Sequence, residues 1–128
     1  MTDFNSKHNR AVWFDIPVTD LDRAEKFYRA VLAVGIDREE HEGMAFSIFD
    51  HSEGNGGCLV PSKDGPQKEN GILLYLNVDG RIKDAVAQVG ANGGEVVQDT
   101  HSLGSYGSRA LIRDSEGNYL ALHSTESV

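Results

Sequence analysis

The chain has a single cysteine, Cys58, in 128 residues, so no intrachain disulfide can staple it. That scarcity fits a reducing, cytoplasmic setting. Long apolar runs are missing: nothing approaches the roughly 18 residues of a membrane span. The stretch from Met1 to Arg10 lacks the apolar centre of a signal peptide, which argues against secretion. Positive charge is also short. Lys and Arg number 12 against 20 Asp and Glu, a net charge of −8. Such a chain offers no basic face for phosphates, so neither nucleic acid nor membrane is an expected partner. The acidity is weakly compatible with a cationic ligand and is explained more simply by solubility. What remains is an ordinary soluble composition, 39% apolar and 25% charged, at the length of one domain spanning 1–128.

That length contains a duplication. Phe14-Asp15-Ile16-Pro17-Val18 returns 60 positions later as Leu74-Tyr75-Leu76-Asn77-Val78. Ser52-Glu53-Gly54-Asn55 returns 63 positions later as Ser115-Glu116-Gly117-Asn118. About 60 residues bury too little core to stand alone, so the repeats read as two copies of one unit sharing a cleft.

Each copy has the same element order. Val12, Phe14, Ile16 and Val18 alternate with Ala11, Trp13, Asp15 and Pro17, the period of a half-buried strand over 11–18. Thr19 is the expected N-cap of a helix carrying Leu21, Ala24, Tyr28, Val31 and Leu32, with Gly35 as its stop. Strands are expected near 36–38, 44–49 and 57–61, and the polar stretch 62–70 reads as a linker. The second copy predicts a strand over 72–78, a helix carrying Ile82, Ala85, Val86 and Val89, and strands near 95–98, 109–113 and 119–124. Thr100 to Gly107 is either a lip of the cleft or a plain connection. The expected architecture is α+β, with both helices on one face of curled sheets.

Two segments carry a family resemblance. Trp13-Phe14-Asp15-Ile16-Pro17-Val18-Thr19-Asp20-Leu21-Asp22-Arg23-Ala24, followed by Phe27-Tyr28, resembles the opening of the vicinal oxygen chelate superfamily. Gly104-Ser105-Tyr106-Gly107, then Asp114-Ser115-Glu116-Gly117-Asn118 through His123-Ser124, resembles its close. That superfamily includes glyoxalase I, bleomycin-resistance proteins and extradiol dioxygenases. The resemblance implies two tandem βαβββ modules, about 11–61 and 71–124, forming an open U-shaped sheet around a cleft. It also implies that catalytic relatives hold a divalent metal there, on four strand positions that correspond to Trp13, Cys58, Leu73 and Ala121. An indole, an isobutyl and a methyl offer no usable lone pair, and one thiol alone cannot hold the ion. No metal or other cofactor is therefore expected. Without a Lewis acid to stabilise an enediolate, glyoxalase I (lactoylglutathione lyase) activity is not expected either.

Alternation names the neighbours of those four positions. Trp13 brings Asp15 and Pro17 to the cleft, Leu73 brings Tyr75 and Asn77, and Ala121 brings Tyr119 and His123. Aromatic walls with a few polar groups suit a small organic ligand. Trp13 is a ligand platform or a filler, and Asp15 is a pocket group or the partner of Arg109 or Arg113. His123 is a general base or an exposed histidine without a task. A displaced metal site on Asp15, His123, His51 or His101 has no spacing that demands it, and His8 and His41 read as solvated. Gly54-Asn55-Gly56-Gly57 precedes a strand, so it lacks the geometry of a phosphate loop.

Three functions remain open: a metal-free binding protein, a metal-independent isomerase or lyase using Asp15 or His123 as base, and a scaffold whose cleft Trp13 fills. The first is the leading expectation. The resemblance further implies a homodimer.

Overall fold

A computed structural model describes residues 10–66 and 71–128. The readings of His8 and of linker positions 67–70 lie outside the described residues. The chain runs β1 (Asp15–Val18), α1 (Leu21–Leu32), β2 (Ile36–His41), β3 (Met44–Phe49) and β4 (Cys58–Pro61). It then repeats as β5 (Tyr75–Asn77), α2 (Ile82–Ala91), β6 (Glu95–Ser102), β7 (Ser108–Arg113) and β8 (Tyr119–Ser124). Two four-stranded sheets result, ordered β1-β4-β3-β2 and β5-β8-β7-β6. In each, the first strand lies parallel to the last and the remaining neighbours are antiparallel. This is the α+β pair of βαβββ units that the duplication predicts.

The repeat reaches into the register. Asp15 lies opposite Cys58 and Tyr75 opposite Ala121, so the offsets of 60 and 63 carry one pair onto the other. One face of each sheet is covered by its helix. Ile16, Val18, Phe49 and Leu59 pack with Phe27, Tyr28 and Val31, and Leu76, Val78, Ile112, Leu120 and Leu122 pack with Ile82, Ala85 and Val89. All belong to one continuous apolar cluster, so neither half has a core of its own. Gly94 sits where the halves touch, since a Cβ there would come within 2.6 Å of Phe27 Cε1.

Several boundaries differ from the sequence expectation. The strand expected over 11–18 begins at Asp15, because the Asn55 side-chain amide, not a neighbouring strand, takes the Ala11 carbonyl. Asp20, not Thr19, caps α1: its carboxylate accepts from Arg23 N at 3.0 Å, while the Thr19 hydroxyl donates to Glu116. The helix ends at Ala33 in the left-handed region (φ 56°), two residues before Gly35. β5 is shorter than 72–78. β6 extends to Ser102 through two register shifts, and a 3-10 turn at Gly104–Tyr106 follows, so little of 100–107 is irregular. Among the described residues no helix is long and apolar enough to cross a membrane.

Candidate functional site

The second copy of the Ser-Glu-Gly-Asn turn locks the two halves together. Glu116 accepts from Thr19 N (2.9 Å), Thr19 Oγ1 (2.9 Å), Asp20 N (2.9 Å) and both Nε and Nη2 of Arg23 (2.6 and 2.9 Å). Asn118 Nδ2 donates to the Pro17 carbonyl at 2.8 Å, and buried Tyr28 donates its hydroxyl to Asp114 at 2.5 Å. Burial pushes the Asp114 carboxyl up, against the hydrogen bonds from Tyr28 and Asn118. The same burial, with Asp114 alongside, lifts the Tyr28 phenol well above its ordinary range. These ties fix β1 against the start of β8.

A hollow of about 450 Å³ opens along that seam. Ala11, Trp13, Phe14, Asp15, Ile16 and Pro17 form one wall, and Ile72, Leu74, Asn118, Tyr119 and Leu120 form the other. Phe14 can lie there because residue 57 is glycine; a Cβ at Gly57 would overlap the Phe14 ring. Trp13 stands edge-on to the His51 ring with centroids 6.0 Å apart. Its indole Nε1 donates to Asp15 Oδ1 at 3.2 Å, and Cys58 Sγ donates to the same oxygen at 3.2 Å. Burial, then the neighbouring Asp15 carboxylate, pushes the Cys58 thiol up to about 12. Asp15 therefore pairs with neither Arg109 nor Arg113.

The expected site residues divide between two places. Trp13, Asp15 and Tyr119 line the hollow. Tyr75, Asn77 and His123 sit outside it, on the uncovered face of the second sheet, where Asn77 lies opposite His123. Leu73 is half-buried, and its neighbours Ile72 and Leu74 line the wall instead. Cys58 is 4% exposed and Ala121 fully buried, so neither offers a ligand surface here. Phe14, Ile72 and Leu74 are lining residues that alternation from Trp13 and Leu73 passes over.

The donors at the four positions that the resemblance assigns to a divalent metal do not suit one. Trp13 and Cys58 both spend their hydrogens on Asp15, the thiol is far from its thiolate form, and Leu73 and Ala121 carry no donor atom. Among the described residues no group of three or more His, Cys, Asp or Glu side chains could hold a metal ion. His51 and His101 each turn Nδ1 to a backbone carbonyl, of Gly54 and Asp99 respectively.

Comparison with known proteins gives a consistent picture. The sequence model of the Glyoxalase/Bleomycin resistance protein/Dioxygenase superfamily matches residues 10–122. A glyoxylase-like domain-containing protein of Didymella fabae is 28% identical over 120 residues, covering 90% of this chain and 93% of that one. Among solved structures, a glyoxalase/bleomycin resistance protein from Albidiferax ferrireducens T118 superposes with a TM-score of 0.68 at 20% identity, covering 88% and 95% of the two chains. The fosfomycin resistance protein FosX of Listeria monocytogenes gives a TM-score of 0.70 at 11% identity, covering 92% and 91%. At such identities the likeness of the structures is one of fold.

Proposed function

From the premise that this chain belongs to the glyoxalase/bleomycin resistance protein/dioxygenase superfamily, we propose that it binds a small organic molecule in the seam hollow without a metal. The carrying observation is the hollow itself, about 450 Å³ with walls dominated by Trp13, Phe14, Pro17, Ile72, Leu74 and Tyr119. That volume lies in the range of small-molecule sites, and an apolar lining with few polar groups is their usual composition. Asp15 supplies the orienting group, while Trp13, held by Asp15, presents a fixed aromatic edge. The chain's one tryptophan makes the test direct. Titration of a diverse metabolite library is expected to give a saturable change in Trp13 fluorescence for at least one class, lost in Ile72→Asp. No saturable change and no ligand-dependent rise in melting temperature across the library overturns the reading.

A second reading, a metal-independent isomerase or lyase, is favoured by one detail of Asp15. Both its hydrogen bonds land on Oδ1, so among the described residues Oδ2 carries none. A carboxylate oxygen at the wall of an apolar hollow has the placement of a general base. Asp15→Asn is then expected to abolish turnover of a ligand found in the screen while leaving its binding. Equal turnover in both forms sinks this reading and leaves simple binding standing. His123 is the other expected base; its Nε2 donates to the Tyr106 carbonyl at 2.7 Å, outside the hollow.

A further inference from the structure

The uncovered face of the second sheet carries a row of polar residues that the hollow does not use. The ladders place His101 opposite Arg109, Arg109 opposite His123, and His123 opposite Asn77, in line across β6, β7, β8 and β5. Arg109 is the centre of this row. Its Nε donates to His101 Nε2 at 3.1 Å, its Nη1 donates to Tyr75 Oη at 2.7 Å, and the guanidinium stands 6.0 Å from the centre of the Tyr75 ring. His101 is held as the acceptor because its Nδ1 donates to the Asp99 carbonyl at 2.9 Å. The guanidinium is thus positioned from two sides.

Among the described residues it has no counter-ion. Arg23, Arg29, Arg38, Arg81 and Arg113 each close on an Asp or Glu, as an excess of acids makes easy. Among the described residues Arg109 forms no ion pair, and its Nη2 and the second hydrogen of Nη1 carry no bond there. Tyr75 Oη accepts from Arg109 and so keeps its own proton to donate, on a side chain 46% exposed. A fixed, half-buried guanidinium with an open edge beside a spare hydroxyl donor is an anion receptor.

We propose that Arg109 and Tyr75 form a binding subsite for the carboxylate of a small organic acid, on the open face of the second sheet and outside the seam hollow. The two coplanar oxygens of a carboxylate match the parallel N–H groups of the guanidinium edge, and the Tyr75 hydroxyl can serve one of them as well. The His123 ring, 6.3 Å from that of Tyr75, flanks the same spot and suits an aromatic or unsaturated acid. A dianionic phosphate would need a second free cation, and the neighbouring Arg113 is engaged by Glu95. The net charge of −8 opposes any anion from afar, but salt screens that repulsion beyond about 8 Å at physiological strength.

The test is a titration of the whole chain with benzoate, with benzamide as the uncharged analogue, followed through the Arg109 Nε–H and His101 signals in nitrogen-15 NMR. Benzoate is expected to move both signals saturably and benzamide to leave them in place. Arg109→Gln should weaken benzoate by about ten-fold or more, the size expected for losing charge-assisted bonds. Arg109→Lys should fall between, and Tyr75→Phe should cost a few-fold. Arg113→Gln should bind as the parent does. Equal effects of benzoate and benzamide, or parent-like binding by a folded Arg109→Gln, overturns the proposal. Inorganic phosphate binding more tightly than benzoate also overturns it, replacing carboxylate by phosphate. Should Arg109→Gln fail to fold, the benzamide comparison and Arg109→Lys decide. The readout sits at Arg109, away from Trp13, so a negative result here leaves the seam-hollow reading to its own test.

Discussion

Glu116 shows how one side chain can govern the seam. Its side chain is 1% exposed, and burial alone would raise its carboxyl; the Arg23 guanidinium, with the Asp20 and Thr19 donors, outweighs this and holds it at about 2 against an ordinary 4.5. A folded value below the unfolded one contributes stability that is whole above about pH 4.5 and drains away as pH falls toward 2. Glu116→Gln is therefore expected to cost about 2–3 kcal/mol at neutral pH, less than a fully buried pair because Arg23, 49% exposed, can rehydrate. In denaturant melts the gap between parent and variant should narrow from pH 7 to pH 3; an unchanged gap would refute the assignment. Cys58 makes the opposite case. A thiol raised to about 12 and 4% exposed should resist iodoacetamide in the native protein at pH 8 and react once the chain is unfolded, as mass spectrometry can count.

At the scale of elements, the turn leading into β4 sets the hollow's depth. Gly57→Ala must displace the Phe14 ring, and overpacking of this kind costs about 1–3 kcal/mol. The expected outcome is a lower melting temperature together with weaker binding of any seam ligand; an unchanged melting temperature would show that Phe14 yields freely. Most elements were legible in the sequence because periodicity and duplication act locally. The strands at 44–49 and 119–124 fall where the strand and turn signals of the sequence put them. The two offsets match the partners of the parallel pairs, since related segments pair in related ways. Boundaries were less legible wherever a distant group intervened. Thr19 has the chemistry of a cap, but Glu116, 97 positions away, claims its hydroxyl, and Asp20 takes the role. Likewise Asn55 holds residue 11 away from the ladder, which ends the expected strand early.

The whole molecule folds around a single apolar cluster to which both halves contribute. A fragment of residues 1–66 would expose the faces of Phe27 and Tyr28 that meet Gly94 and Asp114, so it should show little native-like structure by circular dichroism. A cooperatively melting fragment would contradict that view. Only part of the candidate site was legible at this scale. Alternation brings Trp13, Asp15 and Tyr119 to the hollow, yet it misses Phe14, Ile72 and Leu74, because the hollow takes side chains from both faces of the chain, Ile16 and Leu120 among them. The pairing of Asp15 with an indole and a thiol, in place of an arginine, depends on which side chains the twist of the sheet brings near, and spacing does not encode that. The two Ser-Glu-Gly-Asn turns, alike in spelling, have different fates: Glu116 is buried in the seam while Ser52, Glu53 and Gly54 are exposed. They should differ accordingly as places to graft. A short peptide tag inserted after Glu53 should be displayed on a folded protein that an antibody can capture, and the same tag after Glu116 should leave the chain insoluble.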